Sequence, residues 1–134
     1  MINTTIIPAA TASATTQNVL VEITERMCRK FCAVSSIQPS ATVAFSAGQV
    51  ETVGSVAVVP IIARITIVTP SSKECGCMAS TQVFTERFSL GFTATSTNTV
   101  TLTPGAAPLV EPADVKCCKA GAVKVATSLS VTIA

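Results

Sequence analysis

Six cysteines are the residues of this chain best suited to chemistry, and they fall in three close pairs. The pairs are Cys28 with Cys32, Cys75 with Cys77, and Cys117 with Cys118. Six cysteines allow fifteen pairings, and sequence does not choose among them. Bridges within a pair are unfavourable, because alternate strand positions lie near the limit of about 7 Å between Cα atoms and a vicinal ring is strained. We therefore predict that at least two of the three pairs are oxidised, in disulfides that join different pairs or different chains.

Metal binding is the alternative use of these sulfur atoms. Four thiolates can hold zinc in a tetrahedron without any histidine, and the candidate set is Cys75, Cys77, Cys117 and Cys118. None of the three pairs has the C-x-x-C spacing of zinc knuckles and redox motifs, which weighs against a metal or redox site. A third interpretation is that several are plain buried cysteines in a reducing compartment. We expect no cofactor.

Catalysis has little support, because the chain contains no histidine, the commonest general base. The closest acidic pairs are Glu22 with Glu25 and Glu111 with Asp114. An offset of three residues along a strand points the two side chains to opposite faces. The sequence therefore predicts that the protein is not an enzyme.

One short motif occurs twice, as Thr24-Glu25-Arg26 and Thr85-Glu86-Arg87. It indicates either two similar strands of one sandwich or chance. Period-two counting places both glutamates on an apolar face, although glutamate is almost never buried unless it is paired. Either the strand bulges, or the face is partly buried, or a cation such as Arg64 reaches in.

Composition limits the possible partners. The 134 residues suit one domain, and 49% are hydrophobic while only 12% are charged. So little charge favours a surface that is partly buried against copies of the same chain. The net charge of +2 is too weak to indicate nucleic acid. No apolar run reaches the roughly 18 to 20 residues of a membrane-spanning helix, so we expect no membrane insertion.

Alternation of apolar and polar residues predicts the main strands. They are residues 19–26, 61–68, 82–95 and 122–133, and the core candidates on them are Ile23, Ile65, Phe84, Phe88, Val125, Leu129 and Val131. The first strand either continues to Cys32 or gives way to a short helix after Thr24, and the repeated motif favours the strand.

Shorter segments complete the predicted fold. Residues 41–45 and 49–53 suit a hairpin around a Ser-Ala-Gly turn, and residues 99–103 suit a short strand. Pro60 predicts a break or bulge in the apolar run 56–68, and two prolines predict a loop at 106–116. Seven or eight short strands and no clear helix predict an all-β, antiparallel β-sandwich of jelly-roll or immunoglobulin-like kind.

Residues 1–18 carry no charged side chain, which predicts an extended N-terminal arm before a sandwich domain at 19–134. They have no cationic n-region, so they do not resemble a secretion signal. A disordered terminus is one interpretation. The other is that Ile2, Ile6 and Ile7 dock on a neighbouring subunit as an added strand, because the arm has no obvious partner in its own chain.

Three features together resemble the fibre subunits of bacterial endospore appendages: the uncharged connector Met1–Asn18, a Thr/Val-rich sandwich with few aromatic residues, and cysteines placed to cross-link. The resemblance implies jelly-rolls joined by donated N-terminal arms and disulfides, without a secretion signal. It is one of general design over the whole chain. The connector of that family carries its own cysteines, including a Cys-Cys pair, whereas the first cysteine here is Cys28.

The expected function is therefore a structural subunit that self-assembles with its own copies into an extracellular or surface fibre. A phage capsid or head-decoration protein is the structural alternative, so the expected location is extracellular or on a cell, spore or virion surface. A cysteine-based metal-binding module and a carbohydrate-binding sandwich are the rivals of other classes. The absence of Trp and Tyr, the usual sugar-stacking rings, weakens the last.

Overall fold

A computed structural model gives the structure of the chain and describes residues 3–8, 16–33, 38–72, 76–93 and 99–133. Nine strands lie in these ranges: β1 (Asn3–Pro8), β2 (Thr16–Cys32), β3 (Ser40–Ala47), β4 (Glu51–Val53), β5 (Val56–Thr69), β6 (Ser80–Phe92), β7 (Val100–Pro104), β8 (Leu109–Lys116) and β9 (Lys119–Ile133). The described ranges contain no helix, and hence none that could cross a membrane.

The strands form two antiparallel sheets, which confirms the predicted all-β class. The first sheet has the order β1-β2-β9, and both β7 and β8 pair with the far edge of β9. In the second sheet β5 is central, with β6 along one edge and β3 and β4 along the other. The core lies between the two sheets, so the arrangement is a sandwich.

The four main predicted strands are present as parts of β2, β5, β6 and β9. Five of the seven predicted core residues are fully buried: Ile23, Ile65, Val125, Leu129 and Val131. The other two, Phe84 and Phe88, are only half-buried, because β6 is an edge strand whose middle is less covered. Farther along the same strand Leu90 and Phe92 enter the core.

The predicted hairpin between residues 41–45 and 49–53 is wrong. Strands β3 and β4 both pair with the same edge of β5, at residues 61–68 and 56–58 respectively. The physical reason is that β5 is longer than either strand and its backbone groups need partners along the whole edge. Two short strands placed end to end supply them.

The predicted break at Pro60 is also wrong, since β5 runs unbroken from Val56 to Thr69. The Pro60 carbonyl accepts a hydrogen bond from the Gly48 N–H at 2.9 Å. The N–H and C=O of one strand residue point to the same side, so the missing N–H of Pro60 faces the gap between β3 and β4. The proline therefore leaves the ladder between β5 and β6 intact.

A matching gap separates β7 from β8 along β9, where the Gly105 N–H donates to the Ser128 carbonyl at 2.9 Å. A Cβ at Gly48 would lie 2.9 Å from the Pro60 ring, and one at Gly105 would overlap the Ser128 side chain. Glycine thus permits the close backbone approach at both gaps.

Residues 106–116 are not the predicted loop, because β8 occupies Leu109–Lys116. Pro112 lies within this strand opposite Val123 of β9. Strand β8 pairs only with β9 among the described strands, and an edge strand tolerates proline. Proline was therefore the cause of two wrong predictions, the break at Pro60 and the loop at 106–116.

The first strand, β1, belongs to the first sheet of its own chain. It pairs with β2 from Asn3 opposite Thr24 to Pro8 opposite Val19, with Ile6 opposite Val21 and Ile7 opposite Leu20. The prediction that the arm has no partner within its own chain is therefore wrong for Asn3–Pro8. Ile2 lies outside the described residues.

The repeated motif places two carboxyl groups in the core, one from each sheet. Glu25 of β2 is 0% exposed and Glu86 of β6 is 8% exposed, whereas Arg64 is exposed on the outer face of β5 and does not reach in. Burial, and next the neighbouring Glu86 carboxyl, raise the pKa of Glu25 above its ordinary value. The two copies of the motif are similar strands of facing sheets.

Glu25→Gln should make the stability less dependent on pH. A carboxyl whose pKa is higher in the folded protein contributes stability below its unfolded pKa, and this contribution is lost as the pH rises through the folded pKa. Above pH 4.5, the ordinary value, we expect the wild-type free energy of unfolding to fall, by at most about 1.4 kcal/mol per pH unit for one proton. Urea unfolding followed by circular dichroism between pH 5 and 8 measures this.

The matched control is Glu51→Gln, which neutralises an exposed glutamate on β4 and should keep the wild-type slope. Equal slopes for wild type and Glu25→Gln would contradict the prediction.

Candidate functional site

Five of the six cysteines lie at one end of the sandwich, which we call the cysteine end: Cys28, Cys32, Cys77, Cys117 and Cys118. Strand β2 finishes here and β9 begins, with Cys32 opposite Lys119. The Ala33 N–H donates to the Cys118 carbonyl at 2.8 Å. Cys75 lies outside the described residues.

A disulfide joins Cys32 to Cys77 across 45 residues of chain, with an S–S distance of 2.02 Å. It connects different pairs, the kind of bridge that strand geometry favours. Two backbone hydrogen bonds between Ser72 and Cys77, of 2.9 and 2.8 Å, hold the second cysteine in place. The bond therefore ties the end of β2, in the first sheet, to the segment that leads into β6, in the second. Disulfides of this kind are typical of an oxidising environment.

Cys28 lies in an irregular part of β2, where the pairing with β9 shifts register between Arg26 and Phe31. Its side chain is exposed and its sulfur is a free thiol. The Cys28 N–H donates to the Gln82 side chain of β6 at 3.3 Å. The irregularity thus turns a thiol outward beside the second sheet.

Cys117 and Cys118 form the two-residue turn between β8 and β9, and both are exposed. Their φ angles are 50° and 66°. Two successive positive φ values define the type I′ hairpin turn, which favours Asn-Gly and disfavours side chains such as cysteine. A left-handed residue other than glycine costs on the order of 1 kcal/mol or more. The turn therefore presents two sulfur atoms at a cost in stability.

A groove of about 320 Å³ opens at the cysteine end. Cys28 and Cys77 line it together with three cationic side chains, Arg29, Lys30 and Lys119, and none of the described residues that line it is a carboxylate. The groove is thus positively charged, which favours the approach of an anion such as a thiolate.

The metal alternative loses one ligand. It needs Cys77 as a thiolate, but the sulfur of this residue is bonded to that of Cys32. Within the described ranges, no group of three or more Cys, Asp or Glu residues could hold a metal ion. Of the other three candidates, Cys75 lies outside the described residues, and Cys117 and Cys118 are two adjacent sulfur donors on one turn.

Sequence reasoning grouped the cysteines correctly as candidates but missed what surrounds them. It did not find the hairpin turn at Cys117 and Cys118, because residues 106–116 were interpreted as a loop. It also missed the cationic groove, because Lys119 meets Arg29 and Lys30 only through the pairing of β2 with β9. The charges that flank the cysteines in sequence were the available signal.

No family model, curated protein or solved structure matches this chain.

Replacing both bridged cysteines, as Cys32→Ala/Cys77→Ala, should lower the free energy of unfolding. The loop that the disulfide closes spans 45 residues, and loop-closure entropy for this length gives about 4 kcal/mol, with 2 to 5 kcal/mol typical. Urea unfolding followed by circular dichroism measures the change. Cys28→Ser is the control, since altering an exposed thiol should change the stability by less than about 0.5 kcal/mol. A double variant as stable as the wild type would contradict the prediction.

Proposed function

We propose that this protein is a structural subunit, of jelly-roll kind, that assembles with its own copies into an extracellular or surface fibre. N-terminal arms exchanged between copies link the subunits, and disulfides between exposed cysteines make the links covalent. The observation that carries the proposal is strand β1, a separate six-residue edge strand that pairs with β2 alone among the described strands.

Strand β1 is suited to exchange because β2 is its only pairing partner among the described strands, so its detachment breaks no other strand pairing. Residues 9–15 connect Pro8 to Thr16, and seven extended residues span at most about 25 Å. Packed sheets are about 10 Å apart. If a neighbouring sandwich stacks face to face on the first, its equivalent sheet edge lies two sheet spacings, or about 20 Å, away. The connection can therefore deliver β1 to the β2 edge of a neighbour, where it makes the same backbone hydrogen bonds.

The Cys117-Cys118 turn supports covalent linking. A turn selected only for folding would carry Asn-Gly, whereas this one holds two cysteines at positive φ on an exposed tip. Strain of this kind in an exposed position is a feature of functional sites. The free thiol of Cys28 lies exposed at the same end.

The linking step is the oxidation of two thiols on different copies to one disulfide. The two thiols lose two protons and two electrons, which an external low-molecular-weight disulfide accepts as it is reduced to two thiols. The Cys32–Cys77 bond is retained.

Deleting residues 10–13 should abolish assembly without unfolding the subunit. Three residues then connect β1 to β2, which reach at most about 11 Å. This span suffices for the pairing within one chain but not for a neighbour about 20 Å away. Sedimentation and negative-stain microscopy should show monomers in place of fibres.

Replacing the same four residues by Gly-Ser-Gly-Ser is the control, because it keeps the length and should retain assembly. Fibres from the shortened variant would refute arm exchange. Closed shells from the wild type would favour the phage capsid or decoration function.

Cys117→Asn/Cys118→Gly should separate folding from linking. Asn-Gly suits the type I′ turn, so we expect the free energy of unfolding to rise by about 1 kcal/mol. Non-reducing electrophoresis of assembled material should show that covalent oligomers decrease. Cys28→Ser in the same assay measures the fraction of covalent oligomers that depends on the Cys28 thiol. If covalent oligomers are undiminished when Cys28→Ser is combined with Cys117→Asn/Cys118→Gly, neither site links the copies.

A further inference from the structure

The two outer faces of the sandwich differ in their charged side chains. The outer face of the second sheet, which we call the arginine face, displays Arg64 of β5 and Arg87 of β6. In the register of these strands Arg64 lies opposite Thr85, and Arg87 lies opposite Ile62. The two guanidinium groups are therefore diagonal neighbours on one face.

No carboxylate balances these arginines in the nearby described strands. Strands β3, β5 and β6 contain a single carboxylate, Glu86, which is buried in the core. Glu51 of β4 lies opposite Val58, which is four residues, or about 13 Å, from Ile62 along β5. Two like charges side by side repel each other, and an acidic partner would remove this cost.

The outer face of the first sheet holds a depression of about 130 Å³, which we call the glutamate hollow. It is lined by Glu22, Leu109, Glu111, Lys124 and Ala126. Lys124 lies opposite Glu111 in the sheet, and its Nζ is 3.9 Å from a Glu22 carboxylate oxygen. The lining thus contains two carboxylates and one ammonium group, which gives the hollow a net charge of −1.

Both faces also expose aliphatic side chains that a partner would cover. Leu109 at the hollow is 73% exposed, and Val83 and Val68 on the arginine face are 49% and 39% exposed. Guanidinium groups bind carboxylates in a planar, two-bonded geometry, and arginine is enriched at protein interfaces. The charges and the apolar groups of the two faces are thus complementary.

We propose that the arginine face of one copy docks on the glutamate hollow of the next copy. This inference rests on the proposed fibre, and it specifies the surfaces that meet in it. The contact joins two different faces of the same chain, so it is heterologous, the kind of contact that builds an open filament when its rotation does not close into a ring. A repeat of about 20 Å, the thickness of two packed sheets, is within reach of the seven-residue connection at 9–15.

Complementary charge reversal tests the docking. Arg64→Glu/Arg87→Glu gives a copy with two acidic faces, and Glu22→Arg/Glu111→Arg gives a copy with two basic faces. Each variant alone should need a concentration about tenfold higher or more for assembly, a loss of at least about 1.4 kcal/mol. An equimolar mixture should assemble again, because acidic and basic faces then alternate. Sedimentation of protein whose exposed thiols are alkylated and whose Cys32–Cys77 bond is intact, followed by microscopy, measures both results.

Lys116→Glu against Arg87→Glu is the matched single-charge comparison, because both reverse one exposed cation. Arg87 lies on the arginine face, whereas Lys116, at the other end of β8 from Leu109, does not line the glutamate hollow. Circular dichroism and gel filtration establish that each variant is folded. Assembly of the Arg64→Glu/Arg87→Glu variant at the wild-type concentration overturns the inference, and so does a mixture that fails to recover. Loss of assembly on deleting residues 10–13, combined with indifference to charge reversal, would leave the proposed function standing and refute only this contact.

Discussion

Every backbone N–H and C=O of a buried strand needs a partner, and this requirement shapes the whole molecule. Strands β5 and β9 are the central strands of their sheets, with 14 and 15 residues. A long neighbour covers one edge of each, and two short strands placed end to end cover the other. The two sheets therefore cover their central strands in the same way. At the gap between the two short strands of each sheet, a glycine N–H donates a hydrogen bond to a carbonyl of the central strand.

The parts of the fold that depend on local alternation could be predicted from the sequence. In the strands at 61–68 and 122–133 the core-facing residues recur mainly with a period of two, because both strands lie in the centre of a sheet with one face in the core. The errors at Pro60 and Pro112 share one cause. Whether a strand tolerates proline depends on which neighbours lie beside it, and that is a property of topology. The partner of β1 could not be found for the same reason.

The candidate site was only partly predictable. The cysteines are visible in the sequence, but the bond from Cys32 to Cys77 depends on how the two sheets stack. The repeated Thr-Glu-Arg motif did carry three-dimensional information, because it marks strands that bring Glu25 and Glu86 into one core. Burial and the neighbouring Glu86 carboxyl raise the pKa of Glu25. The sandwich therefore contains an internal acidic site that no surface description would include.

Strand β1 lies on the edge of β2, and its effect on a single copy differs from its effect in an assembly. An exposed sheet edge promotes aggregation, so an isolated subunit that covers its own edge is protected from uncontrolled association. Under the proposed exchange, this protection must open before a neighbour can bind. Growth would then start after a lag set by the detachment of six residues, and a concentrated store of subunits would remain dispersed until a first few copies had opened.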